Sequence, residues 1–166
     1  MESLVTWFTA HLGAYISEQA VVFIISLMPL LELRGGLLAG SLLKVPVAQA
    51  IPLSIIGNIL PIPFILLFIR QIFKWMKKIK IFRGIVERLE AKAMGKSDRI
   101  RKYEFWGLMC FVGIPLPGTG AWTGALIASL LGIDIKKSSL AILCGIAMAT
   151  VIMYFVSYVL VGNIVS

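Results

Sequence analysis

The hydrophobic pattern of this chain is one of long apolar stretches interrupted at a few points, with no strand-like alternation. Residues 1–17 carry Leu4, Phe8, Leu12 and Tyr15 at helical spacing around polar Thr9 and His11, a pattern that predicts a short helix lying at a membrane interface. Residues 19–43 are apolar but broken near the middle by Pro29 and by Glu32-Leu33-Arg34-Gly35-Gly36, so the segment is either a re-entrant hairpin or a kinked spanning helix. Pro46 to Ile69 is long enough to cross a hydrocarbon core of about 30 Å. Pro46 is placed to start it, and Pro52, Gly57, Pro61 and Pro63 should bend it and free backbone carbonyls.

After this comes a different texture. In residues 70–104 basic side chains alternate with Ile72, Trp75, Met76, Ile79, Phe82, Val86, Leu89 and Ala93, which predicts an amphipathic helix or helix pair lying against headgroups. Residues 105–133 are again apolar and again broken, at Ile114-Pro115-Leu116-Pro117-Gly118-Thr119-Gly120. Residues 138–163 form an uncharged stretch long enough to span.

Composition supports a bilayer as the solvent. Apolar residues make up 59% of the 166 and charged residues 14%, and between Gln19 and Ile69 the only charges are Glu32, Arg34 and Lys44. The net charge of +8 is concentrated, with twelve of the sixteen Lys and Arg between Arg70 and Lys102. One basic block between two apolar regions is the positive-inside signal and places the connector in the cytoplasm; it is not a nucleic-acid footprint, which needs a soluble folded face. Cys110 and Cys144 lie in apolar segments, where no disulfide is expected, and the N-terminal residues lack the basic flank and cleavage site of a secretory signal.

Lys136 and Lys137 also favour the cytoplasm, so the segment at 105–133 should leave and return on one face. Each of its arms is too short to cross, which makes it a re-entrant hairpin with a Pro-Gly tip at membrane depth, tolerated only inside protein or against a water-filled cavity. Sliding the chain by 88 residues aligns Pro29 with Pro117, Gly36 with Gly124, Leu38 with Leu126, Ser41-Leu42-Leu43 with Ser129-Leu130-Leu131 and Gly57 with Gly145, and sets Pro46 against Asp134, both helix-start residues. The expected fold is therefore all-α and integral to the membrane. Two inverted repeats, residues 18–69 and 105–166, each consist of a re-entrant helical hairpin plus a transmembrane helix and are joined by the basic amphipathic connector. Gly36 and Gly40, with Gly120, Gly124 and Ala128, would let the hairpin arms approach closely.

The candidate chemistry sits at the two breaks. Glu32 and Arg34 each cost about 2.5–3.5 kcal/mol at mid-membrane, which something must offset. Glu32 is the candidate ion-coupling, protonatable group and Arg34 an anion or carboxylate partner; a structural ion pair or an interfacial location is the alternative. Gly35, Gly36 and Asn58 join the candidate substrate site from the first half. Pro115, Pro117, Gly118, Thr119, Gly120, Trp122 and Thr123 join it from the second, where glycines permit close approach, two hydroxyls offer hydrogen bonds and Trp122 forms a wall. Asn58 could equally be a bond between helices, and Asp134 reads as a helix cap. His11, the only histidine, has no ligand cluster around it. There is no nucleotide loop, metal-ligand spacing or nucleophile paired with histidine, so no enzyme activity, metal or cofactor is expected.

At Glu32-Leu33-Arg34-Gly35-Gly36 and at Pro115-Leu116-Pro117-Gly118-Thr119-Gly120-Ala121-Trp122-Thr123-Gly124 the chain resembles the putative small multidrug export protein family, a distant branch of the DedA superfamily, from about residue 18 to 163. The resemblance implies two facing re-entrant hairpins and a multi-pass transporter of the inner (plasma) membrane. In DedA relatives it further implies proton-coupled movement of lipid phosphates such as undecaprenyl phosphate. Phe111 to Ala125 holds no arginine, which leaves Arg34 as the deep cation. Three functions stand side by side: a proton- or ion-coupled secondary transporter of a small or amphipathic substrate, a flippase or scramblase for an anionic lipid, and a scaffold recruiting partners through the connector. Membrane lipids, protons and a second copy of the chain, as a homodimer, are the expected partners.

Overall fold

The computed structural model describes residues 6–7, 16–78, 83–84, 87–88, 91, 104–116 and 118–161, and they are helical or lie in turns, with no strand among them. The expected interfacial segment, with His11, and most of the basic connector lie outside the described residues. Seven helices carry the argument: α1 (Glu18–Leu27), α2 (Glu32–Leu42), α3 (Val47–Ile59), α4 (Ile62–Lys77), α5 (Glu104–Gly113), α6 (Ala121–Leu131) and α7 (Ile135–Tyr154), the last continued as a π-helix over Phe155–Val161.

Local rules account for most of the boundaries. Ser17 caps α1 by accepting from the Ala20 N–H at 3.3 Å, and Pro29 sits in the turn where α1 has stopped. Pro46 is the N-cap of α3, and Asp134 caps α7 by accepting from the N–H groups of Lys136 at 3.0 Å and Lys137 at 3.2 Å. The chain leaves α2 through Lys44 at φ +56° and leaves α6 through Gly132 at φ +77°, positions 88 residues apart. One expectation needs correction. The unwound tip is only Met28–Leu31, so Glu32 to Gly36 lie in the first turns of α2; Glu32 keeps the left-handed φ of +52° as the remnant of the turn. The segment from Pro46 to Ile69 is interrupted at Leu60-Pro61, one of the expected bends, where proline lacks the N–H to continue α3.

Val47–Ile69 and Ile135–Leu160 are long and apolar enough to cross a membrane. Their outward faces carry Phe64, Leu67, Phe68, Leu140, Val151 and Phe155, all more than half exposed. A soluble protein does not leave so much contiguous hydrocarbon in water, and the chain is a membrane protein. In each half the first hairpin arm begins beside the start of the long helix. The Gln19 side-chain amide donates to Gln49 Oε1 at 3.2 Å, and Lys137 Nζ meets Glu104 Oε2 at 2.9 Å.

Glycines set how close these elements come. A Cβ on Gly57 would lie 2.8 Å from the Phe23 carbonyl and 2.9 Å from Ser26 Cβ; one on Gly145 would lie 2.8 Å from the Met109 carbonyl and 2.7 Å from Val112 Cβ. Backbone oxygen cannot step aside. Gly145→Ala is therefore expected to lower stability by about 1–3 kcal/mol, read as a lower unfolding midpoint in detergent; an unchanged midpoint would mean that α5 and α7 are not in contact there.

The halves also pack crosswise. Ser41 Oγ on α2 donates to the Ser157 carbonyl at 2.6 Å and Tyr158 OH donates to the Val45 carbonyl at 3.1 Å, while Ser129 Oγ on α6 reaches the Leu66 carbonyl of α4 at 3.4 Å. Between them runs a core containing Val22, Leu33, Leu37, Leu108, Ile127 and Ile142, with a smaller cluster of Val21, Ile25, Leu31 and Ala39 inside the first hairpin. Cys110 and Cys144 are free thiols.

Candidate functional site

The two helix breaks meet. Residues two apart on a helix point to nearly opposite sides, so Glu32 and Arg34, at the start of α2, reach different arms of the second hairpin. The Glu32 carboxylate accepts from the N–H groups of Ala121 at 3.0 Å and Trp122 at 3.1 Å, the first two residues of α6. The Arg34 guanidinium donates to the carbonyls of Val112 at 3.2 Å, Ile114 at 3.0 Å and Leu116 at 2.9 Å, at and just beyond the end of α5, and to Thr119 Oγ1 at 3.1 Å.

Several of these are groups that a broken helix leaves without intrahelical partners: the first N–H groups of α6 and the Val112 carbonyl near the end of α5, which carry partial positive and negative charge respectively. The Ile114 and Leu116 carbonyls also accept from the N–H groups of Leu116 at 2.8 Å and Thr119 at 3.1 Å. An anion on the first and a cation on the second match both hydrogen-bonding need and sign. Glu32 and Arg34 are 5% and 6% exposed, so the bonds form where little water competes. The left-handed backbone of Glu32 costs about 1–2 kcal/mol for an L-residue, and the two charge-assisted bonds offset it.

The second tip is shaped to receive them. Thr119 Oγ1 lies 3.0 Å from the Ile114 carbonyl and 2.8 Å from the Leu116 carbonyl, and it accepts from the Leu116 N–H at 3.3 Å, tying the loop into a ring around the guanidinium. Gly118 turns at φ +74°. Gly120 has φ +142°, and a Cβ there would overlap Glu32 Oε2, so only glycine lets the carboxylate reach the helix end.

Of the residues singled out from sequence, Glu32, Arg34, Thr119, Gly120 and Trp122 come together in this junction, Trp122 through its backbone N–H. Pro115 and Gly118 lie on the same loop, and Pro117 is outside the described residues. Gly35 faces Leu31 and Ile25 of its own hairpin, and Gly36 faces Ser26 and Ser54. Asn58 is buried in α3, and Thr123 is half-buried on α6. Sequence reasoning missed the carbonyls of Val112, Ile114 and Leu116 and the Ala121 N–H, because backbone groups leave no residue signature. It also gave no role to Ser41 and Ser129, although the 88-residue alignment paired them. Among the described residues there is no group of three or more His, Cys, Asp or Glu that could hold a metal.

No curated protein and no solved structure matches the chain. One family model does, that of the putative small multi-drug export protein, over residues 32–152. The match opens on Glu32, just after the first tip, runs through the second and covers well over half of the chain, which therefore belongs to the putative small multi-drug export protein family.

Proposed function

We propose that the protein is a small proton-coupled secondary transporter of a bacterial-type plasma membrane, in which the junction of the two tips is the gate and Glu32 takes the coupling proton. The observation that carries this reading is the clasp itself: two charges of one half hold both loose ends of the other half's broken helix through hydrogen bonds alone. Such bonds are remade without changing the core. A proton on Glu32 removes its charge and puts an O–H where two N–H donors converge, so the start of α6 loses its counter-charge and the tip is freed to move.

Two inverted repeats fit the crosswise contacts. Gly57 against Phe23 and Ser26 corresponds to Gly145 against Met109 and Val112, with offsets of 88 for the glycines and 86 for the first arms. The Gln19–Gln49 and Glu104–Lys137 pairs bring each hairpin back to the level where it began, as re-entry requires. In this arrangement one hairpin enters from each face, and the connector and Lys136 and Lys137 lie in the cytoplasm. An apolar furrow of about 180 Å³, lined by Ile62, Pro63, Leu66, Ile142 and Ile146 with exposed Leu67 and Leu143 among its walls, suits the hydrocarbon part of an amphipathic substrate.

The test is Glu32→Gln in proteoliposomes under an imposed pH gradient, with a lipophilic cationic dye as cargo and an internal pH indicator. Gradient-driven dye flux should fall at least about tenfold while the protein stays folded, the scale of losing one charge-assisted contact. Undiminished flux in the folded variant would sink the mechanism. A lipid-phosphate carrier is the second reading, favoured by the ring of oxygens around Arg34, which the oxygens of a phosphate headgroup could replace. Scrambling of an anionic lipid that is indifferent to Arg34→Ala would argue against it.

A further inference from the structure

We infer that a polar notch between α1, α2 and α3, beside the clasp, binds a small dehydrated monovalent cation of the sodium class.

Ser54 Oγ and Asn58 Oδ1 are buried, their residues 0% and 3% exposed, and neither atom has a hydrogen-bond partner. Four residues apart, they share one face of α3. Ser26 Oγ, from α1, gives its proton to the Val22 carbonyl at 2.7 Å, which leaves its lone pairs free to face outward from that bond. A Cβ on Gly36 would overlap Ser26 Oγ and lie 2.7 Å from Ser54 Oγ, so both hydroxyls converge on the bare Cα of this glycine. The Phe23 carbonyl lies at the same crossing, 2.8 Å from where a Gly57 Cβ would sit.

Register places the notch near the clasp. Gly40 packs against Ala50 and Gly36 against Ser54, so the antiparallel pairing of α2 with α3 brings Asn58, one turn on, level with Glu32. The other half supplies an internal comparison. At the matching offsets Ser26, Ser54 and Asn58 become Val112, Ile142 and Ile146, all buried, and the space over Gly124 is taken by Val112 at 2.7 Å and Leu108 at 3.3 Å. Hydrocarbon thus packs this crossing where nothing else is asked of it. Buried oxygens without partners are costly, and at this crossing only the first half carries them, which points to a ligand.

The donor set names its class. Two hydroxyls, an amide carbonyl and a backbone carbonyl are hard, neutral oxygens, with no thiol or imidazole for a transition metal and no carboxylate of the notch's own for a divalent ion. Neutral oxygens replacing a hydration shell suit a monovalent ion, and a notch closed by a single added carbon suits a small one. As a binding site this stands on the packing alone; as a coupling site it rests on the transporter reading.

The experiment compares the unfolding midpoint of the purified protein in NaCl, KCl and choline chloride at equal ionic strength, together with equilibrium binding of radioactive sodium. Sodium should raise the wild-type midpoint by at least a few degrees over choline. Ser54→Ala, which removes only an unpaired hydroxyl and should fold normally, should lose that shift and the bound sodium, and Asn58→Leu should do the same. Equal midpoints in sodium and choline, as a buried water would give, overturn the proposal, and so does a sodium shift that survives Ser54→Ala. Sodium binding lost in Ser54→Ala but without influence on dye flux would keep the site and remove its coupling role.

Discussion

Arg34→Met should unlatch the second hairpin and lower stability by about 3–5 kcal/mol, the range for removing one partner of a buried charged network. Methionine fills a similar volume but leaves the carbonyls of Val112, Ile114 and Leu116 and the Thr119 hydroxyl without their shared donor. Arg34→Lys keeps the charge but not the planar fork, and a single ammonium cannot reach all four oxygens, so its loss should fall between wild type and methionine. Unfolding midpoints in detergent rank the three proteins, and hydrogen exchange over residues 114–122 locates the damage. Equal midpoints for lysine and methionine would mean that charge alone matters and the ring of oxygens does not.

The second large effect is expected from a residue with no side chain. Gly120→Ala alters no charge, yet its Cβ would overlap Glu32 Oε2, lie 2.6 Å from Glu32 Cδ and hold an L-residue at φ +142°. The carboxylate must retreat from the Ala121 and Trp122 N–H groups, so gradient-driven flux should fall as far as in Glu32→Gln. Because both substitutions break one contact, the double variant should be scarcely worse than either single one, within about 0.5 kcal/mol of the larger effect. Additive losses would separate Gly120 from Glu32 and dismantle the clasp.

Much of the skeleton could be read from local rules. Pro29 marks the first break, Pro46 and Asp134 start the long helices, and the glycines of the 88-residue alignment recur where backbones touch. The first arms lie outside that alignment: Phe23 and Ser26 pack on Gly57 and Met109 and Val112 on Gly145, 86 residues apart and with no shared chemistry to reveal it. The charges announced a site without naming its partners. Glu32 and Arg34 could have faced each other, a ligand or an interface, and apart from the Thr119 hydroxyl what they meet is main chain 78 to 90 residues away, which no side-chain pattern encodes. Ser26 and Ser54 belong to no sequence motif, and only packing leaves Ser54 without a partner.

That same separation bears on biosynthesis. The ribosome makes the first hairpin roughly 4–16 s before the second tip exists, at about 5–20 residues per second. Through that interval Glu32 and Arg34 lack the bonds they make in the finished fold, and two unpaired charges favour the lipid headgroups over the hydrocarbon. The clasp is thus completed only when residues 112–122 have been made, and a chain stalled in the connector holds Glu32 and Arg34 without the partners they have in the finished fold.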